Sequence, residues 1–326
     1  MIRSTNWLGD AVMSIPAVRA IKRGRPDAHV TILTPAKLAD LWRHVAEVDE
    51  VICIERDDSV FSVAKKIRRN FDAAILFPNS LRSALEAWLA RIPRRVGHPG
   101  HRRSWLLNQI WRRKKKKKDA RPEPPRHQVH HYLALAEFIG ADISSVESPP
   151  ILNPQSAIPH PIIGLCPGAE YGPTKRWFPD RFAEVIRTVA AARDCEWVLF
   201  GVEKDAPIGD EILRDFTGPH RNLIGKTTLA QLIDELRRCD LLLTNDTGTM
   251  HLAAWLGVPT VSLFGSTEPA LTGPIGTGHR ILRHHVACSP CYLRDCALDL
   301  RCLKAINIQE VSAAIHEALA EVRNAV

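Results

Sequence analysis

Three polar segments combine glycine with charged or hydroxyl side chains, and each follows a short apolar run. The first covers residues 245–251 (Asn-Asp-Thr-Gly-Thr-Met-His), between the apolar run 239–244 and an apolar pattern of helical spacing. The free N–H groups of a helix start bind anions, phosphate above all. Asp246 or Thr247 could equally provide an ordinary N-cap. These residues alone therefore leave a phosphate site and a simple cap as open alternatives.

The second segment covers residues 167–177, after a strand-like run at 162–166. Two glycines and two prolines predict a structured loop there. Lys175 at its end can hold a pyrophosphate as a point charge. Glu203 ends the third segment, again after an apolar run, where a carboxylate can accept hydrogen bonds from ribose hydroxyls. Since parallel strands end at one edge of a sheet, the three segments together predict a site for a nucleotide diphosphate.

Two more polar turns lie in the N-terminal half. Residues 6–10 (Asn-Trp-Leu-Gly-Asp) follow residues 1–5, which resemble the end of a strand that is either short or truncated by a late start. Gly9 permits a tight turn, and Asp10 is then presented at the strand's carboxyl end. Asp10 could act as a general base or only cap the next helix, and the residues alone favour the cap. Asn79 ends another apolar run and is expected at the same edge.

The elements that must position these residues alternate between strand and helix patterns. This alternation predicts an α/β fold, with parallel sheets covered by helices on both faces. A proline-rich, aperiodic stretch separates two such series, which predicts domains at 1–155 and 156–326. Pro16 predicts a kink in the first helix or a helix that starts after Ser14. The alternation of strand and helix patterns breaks from Gly97. Residues 223–224 resemble a short strand. A last helix is expected at 308–322 and could pack back on the N-terminal domain.

The basic character of the chain belongs to one segment. The net charge is +8, yet residues 98–126 hold eleven arginines and lysines against two acidic residues, a local +9. Apolar and aromatic residues beside a cationic run suit an anionic membrane surface, and a solvated loop remains the alternative. No nucleic-acid motif is present, so no nucleic-acid partner is expected. Neither a secretory signal nor a run long enough to span a bilayer is visible. The candidate acceptor or membrane contacts are Asn79, Arg102, Arg103, Lys114, Lys115 and Lys116.

Four of the eight cysteines are clustered near the C-terminal end. Cys288, Cys291, Cys296 and Cys302 have a spacing that could hold a structural zinc ion in tetrahedral geometry. Without an export signal, reduced structural thiols are the alternative. The spacing is less regular than that of paired C-x-x-C sites, so both interpretations stay open. A catalytic role is not expected.

Taken together, segments 6–10, 167–177 and 245–251, with Phe-Gly-Ser-Thr-Glu-Pro at 264–269, resemble the lipopolysaccharide heptosyltransferases of glycosyltransferase family 9. The type II enzymes are the most similar. The resemblance extends nearly from end to end. It implies a GT-B fold, in which two Rossmann-like, doubly wound domains face a cleft.

The resemblance also implies a reaction. Family members transfer L-glycero-D-manno-heptose from ADP-heptose, with inversion, and type II enzymes use the first heptose of the inner core, on Kdo-lipid A, as acceptor. The implied localisation is cytoplasmic, as a peripheral protein on the inner face of the cytoplasmic membrane. The resemblance implies no requirement for a metal cofactor. The family's catalytic aspartate falls on Asp10. Its donor-binding residues fall on Lys175, Glu203, Asp246, Thr247, Gly248 and His251.

Three other classes remain as alternatives. They are a type I or III heptosyltransferase, another GT-B enzyme acting on a nucleotide sugar, and a non-enzymatic protein that binds anions or nucleic acid through the lysine run and the cysteine cluster. The last class leaves the aligned strand-end segments unexplained.

Overall fold

The computed structural model describes residues 1–68, 70–112, 126–144 and 160–324. The chain divides into two compact units, Met1–Glu147 and Ser148–Val326. The predicted domain boundary at 155/156 falls in the range 145–159, outside the described residues. Within the described ranges, no helix is both long and apolar enough to cross a membrane.

Unit 1 is a six-stranded parallel sheet in the order β3-β2-β1-β4-β5-β6. Its order reverses between β1 and β4, the switch point at which open α/β sheets bind ligands. The strands are β1 (Ile2–Arg3), β2 (Thr31–Pro35), β3 (Glu50–Ile54), β4 (Ala73–Leu76), β5 (Arg94–Gly97) and β6 (Gln109–Ile110). The helices are α1 (Leu8–Gly24), α2 (Ala39–Arg43), α3 (Val60–Lys66), α4 (Leu81–Leu89) and α5 (Val129–Phe138), with 3-10 turns at Ala36–Leu38 and Ser104–Leu106.

Unit 2 repeats this topology, with the strand order β12-β11-β10-β7-β8-β9 and the reversal between β7 and β10. Its strands are β7 (Ile162–Cys166), β8 (Glu196–Leu199), β9 (His220–Asn222), β10 (Leu241–Asn245), β11 (Thr260–Leu263) and β12 (Arg280–Leu282). Its helices are α6 (Pro179–Ala192), α7 (Ala206–Leu213), α8 (Leu229–Arg237), α9 (Gly248–Trp255), α10 (Pro269–Thr272), α11 (Arg301–Lys304) and α12 (Ile308–Asn324), with 3-10 turns at Pro173–Lys175 and Glu203–Asp205.

The central strands β1 and β10 are buried along their length because helices cover both faces of a parallel sheet. All five residues of β10 are buried. In α12, Val311, Ile315 and Leu319 recur every four residues, which places them on one helical face, and all three lie in the core of unit 2. These three side chains therefore anchor the helix in unit 2.

Two local expectations also need correction. Helix α1 begins at Leu8 and runs through Pro16, so the predicted start after Ser14 is wrong. Its buried apolar face outweighs the cost of a proline in a helix, about 3 kcal/mol. The predicted strand at 223–224 is wrong as well. Strand β9 ends at Asn222, whose Oδ1 accepts the Ile224 N–H at 3.2 Å and turns the chain.

The sequence pattern also gives no signal for β5, β6 and β12, which have two to four residues each. Strands this short carry too few alternations to be recognised. Both sheets nevertheless end in the loops that carry the candidate residues.

Candidate active site

Loop 167–177 leaves β7 at the switch point of unit 2, and Asn245 at the end of β10 fixes both of its ends. Asn245 is fully buried. Its Nδ2 donates to the Pro167 carbonyl at 2.7 Å, and its Oδ1 accepts the Trp177 N–H at 3.0 Å. Gly168 is required here because a Cβ would lie 2.3 Å from the Asp205 carboxylate. The loop is thus tied to the neighbouring strand rather than free at the surface.

The middle of this loop is held by the segment 291–294. Thr174 Oγ1 donates to the Leu293 carbonyl at 2.5 Å, and Tyr171 Oη donates to the Tyr292 carbonyl at 2.7 Å. Gly172 has a φ of +153°, and a Cβ there would lie 2.7 Å from the Arg294 side chain. The segment that contains the clustered cysteines therefore supports the loop that carries Lys175.

Lys175 and Asp246 form an ion pair at this switch point. Lys175 Nζ lies 2.6 Å from Asp246 Oδ2, and both side chains are largely buried. The hydroxyl of Thr267 donates to the same Oδ2 at 2.6 Å, and Lys175 Nζ stands 5.1 Å from the centre of the Tyr171 ring. Asp246 was predicted to bind the donor itself, and this geometry gives it a second task, because it anchors the ammonium group.

Helix α9 begins immediately after this pair. Thr247 is its N-cap residue, with extended backbone and no side-chain cap hydrogen bond. Thr247 therefore occupies the N-cap position without a capping hydrogen bond from its side chain. Gly248 opens the helix, and its missing side chain leaves the first turn accessible to a ligand. His251 lies in the same first turn and is buried.

Glu203 stands at the end of β8, the strand that pairs with β7. It opens a 3-10 turn that Asp205 stabilises, since Asp205 Oδ2 accepts the Val202 N–H at 3.2 Å. Glu203 itself is exposed. Lys204, next to it, forms a 3.0 Å ion pair with Glu170 of loop 167–177. The two loops of the predicted nucleotide site are therefore linked by a salt bridge.

Asp10 lies in the first turn of α1, three residues after the N-cap residue Trp7. The N-cap position therefore belongs to Trp7 and not to Asp10. Asp10 Oδ1 instead accepts a hydrogen bond from Tyr132 Oη, on α5, at 2.9 Å. Tyr132 is 2% exposed and packs edge-on against Phe77. Burial and the nearby Asp10 carboxylate raise the pKa of Tyr132, so its hydroxyl stays protonated.

Arg103 was predicted to face the acceptor or a membrane, and this prediction is wrong for the membrane. Its side chain is fully buried, and its guanidinium donates to the carbonyls of Pro78 and His98 and to Asn79 Oδ1. Burial lowers the pKa of Arg103 to about 10, which leaves it charged at neutral pH. Arg103 therefore shapes the turn that carries Asn79, at the carboxyl end of β4.

The other predicted acceptor or membrane residues have different outcomes. Arg102 is exposed. Asn79 is half-buried, and its Nδ2 lies 3.4 Å from His131 Nε2. Lys114, Lys115 and Lys116 lie outside the described residues.

All eight cysteines are free thiols. Among the described residues, no three histidine, cysteine or acidic side chains are grouped in a way that could hold a metal ion. Cys296 Sγ accepts N–H groups from Leu298 and Leu300, each at 3.4 Å. The cysteine segment is thus held by N–H bonds to the Cys296 thiol and by its contacts with loop 167–177.

Three residues of this arrangement are absent from the sequence-predicted set, namely Asn245, Thr267 and Tyr132. Asn245 and Thr267 lie inside segments that the sequence singles out, so their polarity beside a strand end was an available signal. Tyr132 gave no such signal, because its partner Asp10 lies 122 residues away. Arg103 was a candidate contact residue, but the sequence gave no signal for its bond to Asn79, 24 residues away.

The fold and the two strand-end sites define an α/β enzyme class, the GT-B glycosyltransferases, built from two Rossmann-like units. The profile of glycosyltransferase family 9 (heptosyltransferase) matches residues 60–301. The chain belongs to glycosyltransferase family 9, and it is a glycosyltransferase.

Named relatives agree with this assignment. Lipopolysaccharide heptosyltransferase 2 of Salmonella typhimurium is 32% identical over 311 residues, with 87% of each chain covered. Lipooligosaccharide heptosyltransferase 2 of Haemophilus influenzae is 32% identical, with 87% of this chain and 88% of the relative covered. The solved structure of E. coli ADP-heptose LPS heptosyltransferase II superimposes with a TM-score of 0.79 at 30% identity, covering 98% of both chains.

Proposed function

We propose that this enzyme transfers L-glycero-D-manno-heptose from ADP-heptose, with inversion, to the first heptose of the lipopolysaccharide inner core. The observation that carries the proposal is the Lys175–Asp246 pair at the start of α9, on the switch point of a Rossmann-like sheet. The relatives are named heptosyltransferase 2, which supports the type II acceptor over those of types I and III.

The donor site suits a leaving diphosphate. Negative charge builds on the diphosphate as the bond to the sugar breaks, and fixed donors aimed at that charge lower the barrier. Lys175 keeps donor capacity beyond its bond to Asp246, and the first-turn N–H groups of α9 supply further donors. Asp246 and Thr267 keep the lysine in place, so little reorganisation is needed during the reaction. The proposal includes no metal cofactor, because these groups stabilise the developing charge.

Glu203 is proposed to accept hydrogen bonds from the ribose hydroxyls. It is exposed at the end of β8, next to the strand that leads into loop 167–177. His251 completes the phosphate-binding loop from the first turn of α9. These two roles follow the family pattern and the order of the strand ends.

Asp10 is proposed as the general base. It takes the proton from the acceptor hydroxyl while the hydroxyl oxygen attacks the anomeric carbon, and ADP leaves from the opposite face. The hydroxyl of Tyr132 donates to Asp10 Oδ1, which favours the ionised carboxylate that a base requires. Asn79, at the neighbouring strand end of unit 1, is proposed to contact the acceptor.

The proposed acceptor is an anionic lipid, and we therefore place the enzyme on the inner face of the cytoplasmic membrane as a peripheral protein. The local charge of +9 in residues 98–126 supports this placement, as does the exposure of Arg102. No nucleic-acid partner is proposed.

The test is an assay with ADP-heptose and two inner-core acceptors, one with and one without the first heptose. We expect transfer only to the acceptor that carries it. Asp10→Asn should keep ADP affinity and lose about a hundredfold or more in turnover, as expected for a lost general base. Asp27→Asn, an exposed carboxylate that follows α1, is the matched control. Near wild-type turnover in Asp10→Asn would remove the base role, and transfer to the heptose-free acceptor would indicate a type I enzyme.

A further inference from the structure

Unit 1 carries an aromatic and cationic surface that the proposed chemistry does not use. It consists of Phe61, Trp88 and Trp105 together with the cations Lys65, Arg68 and Arg91, and we call it the Phe61–Trp105 surface. Most of these side chains line an open groove of about 740 Å³ between α3 and α4. Trp105 adds to it from the 3-10 turn at Ser104–Leu106, where its ring meets that of Trp88 edge-on at 6.1 Å.

The three rings are unusually exposed for their size. Phe61 is 73% exposed, Trp105 69% and Trp88 43%. Their neighbours in sequence, such as Leu106 and Ala87, are buried, so the exposure is a local feature of this face. A cluster of exposed apolar side chains usually marks a site of interaction with another molecule or a membrane.

The structure also holds the Trp105 ring outward. Arg95 donates from Nε to the Leu106 carbonyl at 2.7 Å, which fixes the turn that carries Trp105. Trp105 Nε1 donates to the Arg102 carbonyl at 2.9 Å. The indole N–H is therefore satisfied while the apolar body of the ring faces solvent.

The charge of the surface has one sign. Lys65, Arg68 and Arg91 are exposed, and none of them forms an ion pair within the described residues. The only acidic residue on α3 and α4 is Glu86, which is buried and paired with Arg3 and Arg82. The partner of this face must therefore be anionic and must also accept aromatic rings.

Apart from Phe61, which lies in the first turn of α3 after the carboxyl end of β3, the surface lies away from the candidate active site of unit 1. Arg68 precedes β4, while Trp88 and Arg91 precede β5, so these residues lie near the amino ends of the strands. Asp10 and Asn79 follow the carboxyl ends of β1 and β4. Substitutions on the Phe61–Trp105 surface can therefore test its role without touching the proposed base.

We infer that the Phe61–Trp105 surface binds an anionic phospholipid bilayer. Tryptophan is favoured at the level of the headgroups because its ring has an apolar body and a polar edge. Phenylalanine adds apolar area that is buried at the same boundary. The cations add attraction to the anionic leaflet, each contributing about a fivefold gain in partitioning. A protein partner would need matching acidic side chains, whereas an anionic leaflet presents negative charge everywhere. The inference rests on the proposed function only in naming the cytoplasmic membrane as the bilayer that is bound.

The test is co-sedimentation of the full-length protein with phosphatidylcholine vesicles, with and without phosphatidylglycerol. We expect binding that requires phosphatidylglycerol and weakens with salt. Lys65→Gln/Arg68→Gln/Arg91→Gln should lose about a hundredfold in partitioning. Its control removes three exposed cations elsewhere in unit 1, through Arg23→Gln/Arg43→Gln/Arg56→Gln.

The aromatic contribution is tested by Trp88→Ser/Trp105→Ser, with Phe138→Ser as the exposed aromatic control. We expect at least a tenfold loss of partitioning in the double variant, because the buried apolar area of two indoles is removed, and no loss in the control. Equal binding of both variants and wild type to anionic vesicles would overturn the inference. So would a dimer in analytical ultracentrifugation that Trp88→Ser/Trp105→Ser abolishes, since a second copy would then occupy the surface.

The same variants separate this inference from the proposed function. Transfer from ADP-heptose to a delipidated, soluble acceptor should be unchanged in both. If wild type shows no such transfer, the proposed function fails. The vesicle experiment would still decide whether the Phe61–Trp105 surface binds an anionic bilayer.

Discussion

The hydrogen bond between Tyr132 and Asp10 gives a sharp test of the proposed base. Tyr132→Phe removes one hydroxyl and keeps the ring that packs against Phe77. Asp10 then loses a donor that favours its ionised form. The carboxylate should become protonated at a higher pH, so the active fraction disappears earlier as the pH falls.

The size of the effect follows from the bond. A hydrogen bond to a charged group contributes about 1.5–3 kcal/mol, and one pKa unit corresponds to about 1.4 kcal/mol. The acid limb of the rate profile should therefore move up by about 1–2 pH units. The donor loops lie in unit 2, so the KM for ADP-heptose should stay unchanged.

The assay is kcat/KM for the acceptor as a function of pH, measured for wild type and for Tyr132→Phe. Phe77→Leu is the control, since it disturbs the same packing and keeps the hydroxyl. Its thermal stability should fall while its acid limb stays in place. Superimposable pH profiles for wild type and Tyr132→Phe would refute the reasoning, even if the variant were less stable.

Four further outcomes are expected. Lys175→Ala should weaken ADP-heptose binding and slow transfer together, because one cation serves both the bound diphosphate and the transition state. Calorimetry measures the binding and steady-state kinetics measures the rate, and an unchanged transfer rate would contradict this prediction. Asn245→Ala should weaken ADP binding by about tenfold, because two hydrogen bonds that fix loop 167–177 are lost, and equal affinity in calorimetry would argue against this anchor. Burial lowers the pKa of His131 to about 4, so the unfolded chain binds more protons than the folded protein between pH 6.5 and 4. The melting temperature should therefore fall as the pH decreases through that window, and it should fall less steeply in His131→Gln. Parallel curves of melting temperature against pH for the two proteins would contradict this. EDTA should leave transfer unchanged, whereas a loss restored by one divalent cation would show a metal requirement, and metal analysis of the purified protein tests the cysteine segment.

The cysteine segment shows how sequence and structure divide the information. The spacing of Cys288, Cys291, Cys296 and Cys302 suggests a metal site or reduced thiols. The structure adds a role that the spacing could not suggest, which is to hold loop 167–177 through the backbone of Tyr292 and Leu293. That contact joins positions about 120 residues apart, and no local pattern records it.

Arg103 shows the same limit from the other side. In the sequence it stands beside Arg102 in a basic segment, and both look like surface cations. The chain turns between them so that Arg102 faces solvent, while Arg103 enters the interior and meets the carbonyls of Pro78 and His98. Charge alone therefore does not tell which of two adjacent arginines faces a partner.

The sequence by itself determined the two α/β series and the polar loops at the strand ends, because burial periodicity and turn residues are local properties of the chain. It could not determine which side chains meet across those loops. The pairing of Lys175 with Asp246, the bond from Tyr132 to Asp10 and the outward rings of the Phe61–Trp105 surface were decided by the tertiary structure. Each depends on strand order and helix packing, which bring distant residues within hydrogen-bond or van der Waals distance.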